Sequence, residues 1–379
     1  MNSIKRVALI MAGGSGERFW PLSRMKKPKQ LLKLTHVDKT MIEEAIDRIA
    51  PIIAPEDVFI FTSEILLQPL RDTLTNLPPQ NIVAEPFKRN TAPCLAMATA
   101  FIAEKYSEQH ISPKQISVAV LTADHHIGDQ KMFLKTVDTA LKFAEGEPSL
   151  VTIGIQPTRP ETGYGYIEIE KLFDDESDVP VRPVVRFREK PNYETALEFI
   201  ESGNYLWNSG MFFWRLDTFR DAVKEYLPAV GEHYEEMREA FSGQTEIAHE
   251  GAVEDVKPIF EKFPDISIDY AIMEKAENVA VAKALFPWDD VGSWDSLDRT
   301  QARSNEGNVK SGTVALVDTK NSIVINSSDN TNMIVSAIGV QDLVVVVTDD
   351  AVLVCPKDRV QDVKKAVSQI RTEHRGKWL

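Results

Sequence analysis

The sequence predicts an α/β protein: a mixed, mostly parallel sheet with helices on its faces, followed by a small β-rich C-terminal domain. Three observations predict it. In the first half, short apolar runs alternate with longer segments of helical period. After about Ser304 the pattern breaks into short β-type runs separated by turn residues. And 379 residues exceed an ordinary single core, so one large domain and one smaller one are expected. The division is placed at 1–304 and 305–379.

In chain order, the strand candidates of the first half are Val7–Ala12, Val58–Thr62 and Ser117–Thr122. Between and after them, Met41–Ala50, Ala92–Tyr106 and Met132–Ala144 carry apolar residues at three- and four-residue spacing, as amphipathic helices do. From Val151 the pattern is more mixed, with strands expected at Tyr164–Ile169 and Met211–Trp214 and helices at Tyr193–Glu201 and Asp217–Tyr226. The C-terminal runs are Thr313–Val317, Ser322–Ile325, Met333–Val335, Leu343–Val347 and Ala351–Val354. They recur roughly every ten residues, which suits a few coils of a β-solenoid or a small sandwich, with a short β-helix favoured. A last helix, Asp358–Arg371, is expected to pack back on them.

A composition of 43% hydrophobic and 26% charged residues is that of a globular chain. A net charge of −14 argues against nucleic acid or an anionic membrane as partner, since both need a basic surface. Cys94 and Cys355 have no metal-ligand spacing and read as buried thiols. No stretch has the pattern of a signal peptide or the length of a membrane span, so a soluble, cytoplasmic protein is expected.

Directly after the first strand comes Ala12-Gly13-Gly14-Ser15-Gly16-Glu17-Arg18, followed by Pro28-Lys29-Gln30. Small residues let backbone come close to a polyphosphate, and successive N–H groups form an anion nest. Arg18 and Lys29 add positive charge that the acidic whole lacks. Taken alone, the loop reads equally as a glycine-rich turn. It is neither a GxxxxGK[ST] P-loop nor a dinucleotide fingerprint, because Phe19 stands where the third glycine belongs.

Asp124 lies just past the carboxyl end of a predicted parallel strand, where ligands of open α/β sheets bind, although a lone Asp there is as often a helix cap. A second acidic pair, Asp289-Asp290, reads on its own as a solvated turn. Asn90 and Thr91 stand where a helix starts, and capping is their plain explanation.

As a whole, the run Gly13–Gln30 resembles the GGxGxRxxPLSxxxPK motif of the sugar-nucleotide pyrophosphorylases, closest to their mannose-1-phosphate guanylyltransferases. Ala123-Asp124-His125 resembles the family's PADH and Asp290-Val291-Gly292-Ser293-Trp294 its DVGxW, with Thr122 in place of a proline. Glu85-Pro86-Phe87-Lys88-Arg89-Asn90-Thr91-Ala92-Pro93 resembles EPxxRNTAP. The segments around Gly165, Glu189-Lys190, Asn208 and Asp269 follow family motifs in the same order.

The resemblance implies a Rossmann-like, glycosyltransferase-A-like nucleotidyltransferase fold. It also implies residue roles. Ala12, Gly13, Gly14, Ser15 and Gly16 would wrap the nucleotide; Arg18 and Lys29 would meet its triphosphate. Glu85, Asn90 and Thr91 would form the base site, Glu85 accepting from guanine N1–H and the amino group. Asp124 and Asp290 would share one divalent ion, expected to be Mg2+. Gly165, Glu189, Asn208 and Asp269 would bind the sugar and Lys190 its phosphate.

GTP and mannose 1-phosphate are the expected substrates, giving GDP-mannose and pyrophosphate. Another sugar 1-phosphate, such as a heptose or fucose phosphate, stays open. So does a catalytically silent regulatory subunit sensing GDP-mannose, although Arg18, Lys29, Asp124, Lys190 and Asp290, whose loss it predicts, are all present. Longer relatives append a phosphomannose isomerase cupin; the sequence ends at Leu379, so a single activity is expected. The β-rich tail suggests a homodimer or larger homo-oligomer.

Overall fold

The fold comes from a computed structural model that describes residues 4–170, 178–330 and 332–379. Contacts divide the chain into two compact units that interleave in sequence. The first holds residues 1–12, 46–122 and 128–287; the second holds 13–45, 123–127 and 288–379. The division proposed from sequence, at 304/305, is a cut along the chain, whereas these units are groupings in space.

The first unit is built on one sheet. Its strands are β1 (Lys5–Met11), β2 (Val58–Ser63), β3 (Ile82–Glu85) and β4 (Ile116–Thr122). After the short β5 (His126–Ile127), which belongs to the second unit, come β6 (Leu150–Ile155), β7 (Tyr166–Glu168), β8 (Val181–Pro183), β9 (Arg186–Arg188), β10 (Tyr205–Arg215) and β11 (Val279–Lys283). The order is β3-β2-β1-β4-β10-β6-β11-β8, with β7 beside β10 and β9 beside β7.

Tracing the pairings gives β1–β4, β6, β7 and β11 one direction and β8, β9 and β10 the other. The sheet is therefore mixed and mostly parallel. β1, β2 and β4 are buried along most of their length because both faces are covered, which is why they read as unbroken apolar runs. The helix Thr91–Ser107 is buried nearly all round, in a core with Phe59, Phe61, Phe101 and Trp214. The sequence pattern does not predict β3, β6 and β11 as strands, although each is a short buried run.

The second unit has its own core. β12 (Trp288–Asp289) pairs with β5. Then β13 (Val309–Ser311), β14 (Val314–Val317), β15 (Ile323–Asn326), β16 (Val335–Ile338), β17 (Leu343–Val347) and β18 (Val352–Pro356) follow. β13, β15 and β17 form one parallel face, β14 and β16 a second, and β18 returns antiparallel on β17. Parallel strands from successive coils on two faces make a short β-helix, with Ile323 stacked between Val309 and Val344.

The C-terminal helix, Val363–Glu373, seats Val363 and Val367 in this core beside Phe19, Trp294 and the β-helix valines. Cys94 is buried as expected, but Cys355 is half-buried: it shares the inward face of β18 with Leu353 and packs against the edge of this core.

Trp294 is fully buried, edge-on to Phe19 with ring centroids 5.0 Å apart, and its indole N–H donates to the Trp20 carbonyl at 3.2 Å. Trp294→Ala is expected to cost about 3–5 kcal/mol in urea unfolding. A loss under about 1 kcal/mol would show that this core does not depend on the ring.

Candidate functional site

The second unit brings the glycine-rich loop, Lys29, Asp124 and Asp290 to one pocket of about 270 Å³. Ser15, Gly16, Arg18, Lys29, Asp124, His125, Asp290 and Gly292 line it, together with Glu17, Phe19 and Lys364.

Local sequence explains each placement. Gly16 has φ +59°, and a Cβ there would stand 2.5 Å from the Lys29 Cβ and 2.6 Å from its nitrogen. A larger residue is excluded by both strain and space. The single turn Glu17–Phe19 follows, burying Phe19 and presenting Arg18, whose Nε is buried with no hydrogen-bond partner. Gly14 differs from Gly16: open space surrounds its missing Cβ, so close backbone packing does not dictate glycine there. Gly13 and Ser15 are exposed on the same loop, while Ala12 is buried at the end of β1.

Lys29 is 6% exposed. Its ammonium lies 2.9 Å from Asp124 Oδ2 and donates to the Asp290 carbonyl at 2.5 Å. A buried ammonium demands such partners. Burial opposes ionisation of Asp124, but the charges of Lys29 and His125 and the hydrogen bond from Lys29 outweigh it and hold the carboxyl below its ordinary range.

The β5–β12 ribbon explains why two carboxylates so far apart in sequence meet. Ile127 faces Trp288 and His126 faces Asp289, so continuing the antiparallel register runs Asp124 and Asp290 to the same end. Trp288 supports this end by donating its indole N–H to His125 Nδ1 at 3.1 Å. Asp289 is buried, ion-paired with Arg299 at 2.6 Å, and accepts the Val291 N–H at 2.8 Å. It shapes the turn. Val291, a β-branched residue, is held at φ +47°, the kind of strain kept where geometry is over-determined. A Cβ at Gly292 would come 2.7 Å from Asp290 Oδ2, so glycine leaves room for that carboxylate.

Two carboxylates in a pocket with cationic side chains fit a hard divalent ion that completes its shell with phosphate oxygens and water. Among the described residues no group of three or more potential ligands exists, which an all-protein cage would need.

The first unit holds the other predicted residues. Glu85 ends β3, 9% exposed, with Oε2 buried and unpartnered. Burial pushes its carboxyl up to about 7, against the opposing pull of Lys88 and a bond with Cys94. Asn90, at φ +67°, caps the helix Thr91–Ser107 by accepting the Thr91 N–H at 3.0 Å. Thr91 does something else: its hydroxyl accepts the Ile268 N–H at 2.8 Å, tying this loop to the segment that carries Asp269.

Asp269 opens the one-turn helix Asp269–Met273 and accepts from Asn208 Nδ2 at 2.9 Å. Burial, then the charge of Glu189, push its carboxyl up to about 6. Asn208 Oδ1 accepts from the Thr152 hydroxyl at 3.1 Å and from the Gly210 N–H at 3.1 Å. Lys190, at φ +46°, is ion-paired with Glu189. A Cβ on Gly165 would stand 2.5 Å from Glu189 Oε2. Gly165, Glu189, Lys190, Asn208 and Asp269 are thus one polar cluster.

Sequence reasoning does not select His125, Gly292 or Lys364. Gly292 has a signal, a glycine beside the proposed ligand. Lys364 has none, being one lysine among several on an amphipathic helix.

Comparison with known proteins identifies the family. The nucleotidyl transferase family model matches residues 7–306, and the model of a MannoseP isomerase/GMP-like β-helix domain matches 312–370. The mannose-1-phosphate guanylyltransferase of Escherichia coli K12 is 39% identical over 99% of this chain and 75% of its own length. That of Salmonella montevideo is 39% identical over 98% and 75%. A crystal structure from Thermus thermophilus, described as a mannose-1-phosphate geranyltransferase, superposes with a TM-score of 0.80 at 33% identity, covering 97% of this chain and 100% of that one. Nucleotidyltransferases of this kind generally use a divalent metal. The chain belongs to the nucleotidyl transferase family and, within it, to the mannose-1-phosphate guanylyltransferases that carry a C-terminal β-helix.

Proposed function

We propose that this protein transfers GMP from GTP to α-D-mannose 1-phosphate, releasing pyrophosphate and forming GDP-mannose. The observation that carries the reading is the single pocket in which Arg18 and Lys29 stand with the carboxylates Asp124 and Asp290. A phosphate oxygen of the sugar phosphate attacks the α-phosphorus in line; that P–O bond forms as the bond to the β-phosphate bridge breaks. The nucleophile is already an anion, so no general base and no covalent enzyme intermediate is required. The protein acts by positioning and by offsetting charge.

In this reading the Ala12–Gly16 backbone and Arg18 receive the triphosphate, and Lys29 orients Asp124 while facing the phosphates. A divalent ion held by Asp124 and Asp290, for which Mg2+ is our choice, supplies charge neutralisation at the reacting phosphate. Glu85 takes guanine N1–H and amino protons, with Asn90 and Thr91 shaping that loop. Gly165, Glu189, Asn208 and Asp269 take sugar hydroxyls and Lys190 the sugar phosphate. Residues 1–304 are the catalytic part of the sequence and 305–379 its β-rich appendage.

No described helix is long and apolar enough to cross a membrane. The cytoplasm, where GTP is held, is the expected place of work. Exposed Val317, Ile338, Val352 and Val354 on the β-helix support a homo-oligomer.

The direct test is pyrophosphate release across a grid of GTP, ATP, UTP and CTP against mannose, glucose and heptose 1-phosphates. Release confined to GTP with mannose 1-phosphate is expected; silence across the grid from folded protein would refute the reading. Asp124→Asn and Asp290→Asn are each expected to lower metal-dependent kcat by at least about a hundredfold with the fold retained. Near-normal rates in both would sink the metal assignment.

Glu85 gives a pH prediction. Accepting from guanine requires the carboxylate, which forms as pH rises through about 7. KM for GTP is therefore expected to fall between about pH 6 and 8, and Glu85→Gln to flatten that profile. The same carboxyl holds its proton more tightly in the folded than in the unfolded chain, so it subtracts stability as pH rises. Glu85→Gln should stabilise the fold by on the order of 1–3 kcal/mol at about pH 8 and less at about pH 5, measured by urea unfolding. Equal effects at both pH values would contradict the raised pKa.

A further inference from the structure

Lys364 is the second residue of the C-terminal helix, yet it lines the same pocket as Ser15, Gly16 and Arg18. The helix is fastened on both sides of it. Val363 and Val367 are buried in the second unit's core, Gln361 Nε2 donates to Ser293 Oγ at 3.0 Å, and Arg371 pairs with Glu17 at 2.8 Å. Beyond the helix, the Trp378 carbonyl accepts the Trp20 indole N–H at 2.9 Å. Lys364 is thus held in place by its neighbours.

Its neighbour Lys365 is ion-paired with Asp362 at 2.7 Å. Lys364 has no carboxylate of the described residues within ion-pairing distance; Arg18, whose Nε is itself unpartnered and buried, is the cation near it. Burial, and then the charge of Arg18, pull the Lys364 ammonium below its ordinary value, with Glu17 opposing. Arg18 and Lys364 line one pocket, and Glu17, the carboxylate that acts on Lys364, is itself paired with Arg371, so the two cations can serve as a receptor for a dense negative charge.

We propose that Lys364 is a phosphate-binding residue that, with Arg18, grips the terminal phosphates of the nucleotide, so that the C-terminal helix supplies part of the nucleotide site. This rests on the proposed nucleotidyltransferase reading but asks less of it, since the chemistry recognised is a linear polyphosphate. The leaving pyrophosphate would be held by the same pair. The β-helix appendage would then be needed for nucleotide affinity as well as for folding.

The test uses the full chain and inorganic tripolyphosphate, a probe with neither base nor sugar, titrated by calorimetry at low salt. Lys364→Met is expected to weaken binding roughly ten- to a hundredfold, the loss of one charge-assisted hydrogen bond. Lys364→Arg should restore most of it, and Lys365→Met should leave it unchanged. Thermal unfolding checks that each variant folds. In turnover assays Lys364→Met should raise KM for GTP by a similar factor and leave KM for mannose 1-phosphate within about twofold.

Unchanged tripolyphosphate affinity in folded Lys364→Met would overturn the proposal, as would an equal loss in Lys365→Met, which would mean diffuse charge alone. A wild-type protein that binds tripolyphosphate through Lys364 but forms no GDP-mannose would overturn the substrate reading and support this one.

Discussion

The second unit depends on one buried ammonium. Lys29 is withdrawn from water, and such a charge is tolerated only when its donors are met. The Asp124 carboxylate and the Asp290 carbonyl meet them, and the missing Cβ of Gly16 leaves the space in which the lysine backbone sits. Three segments, 13–45, 123–127 and 288–379, are thereby fixed against one another at a single point. The same interaction keeps Asp124 ionised, which is the form a metal or a phosphate-handling site requires. Structural and chemical requirements coincide in one side chain.

In the first unit the balance runs the other way. Glu85 and Asp269 are carboxyl groups that burial pushes toward neutrality, so the fold carries them at a cost in stability. Glu85 keeps an oxygen without a partner, and Asp269 is held by Asn208 beside the charge of Glu189. Groups kept against their own preference are where ligand recognition is most economically explained. The left-handed backbone at Asn90 and Lys190 and the strained Val291 lie in the family-like motifs as well.

How much of this is legible in the sequence follows from which forces are local. Fully buried strands announce themselves as apolar runs, so β1, β2 and β4 are readable, and the valine-rich coils point to the β-helix. β3, β6 and β11 are missed although they too are buried and mostly apolar, because a short apolar run cannot be told from a buried helical segment by periodicity alone. Each loop motif is visible, but the joining of Asp124 to Asp290 rests on resemblance; the β5–β12 ribbon that joins them is two residues long on each side and has no periodicity to detect. Asp289 reads as a solvated charge and is a buried partner of Arg299. Thr91 reads as a cap and is a tie to Ile268. Lys364 is invisible because only tertiary packing turns one lysine of an amphipathic helix toward a pocket.

If Asp124 and Asp290 jointly hold one divalent ion beside a triphosphate on the Gly13–Gly16 loop, a heavier ion of the same chemistry will mark the place. Crystals grown with Mn2+ and GTP, measured for anomalous scattering at the manganese edge, test this most directly. One strong peak is expected, bonded to both carboxylates and to phosphate oxygens, with the triphosphate against Gly13–Gly16 and Arg18. A metal bound elsewhere, or held by the nucleotide with neither carboxylate, would contradict the assignment.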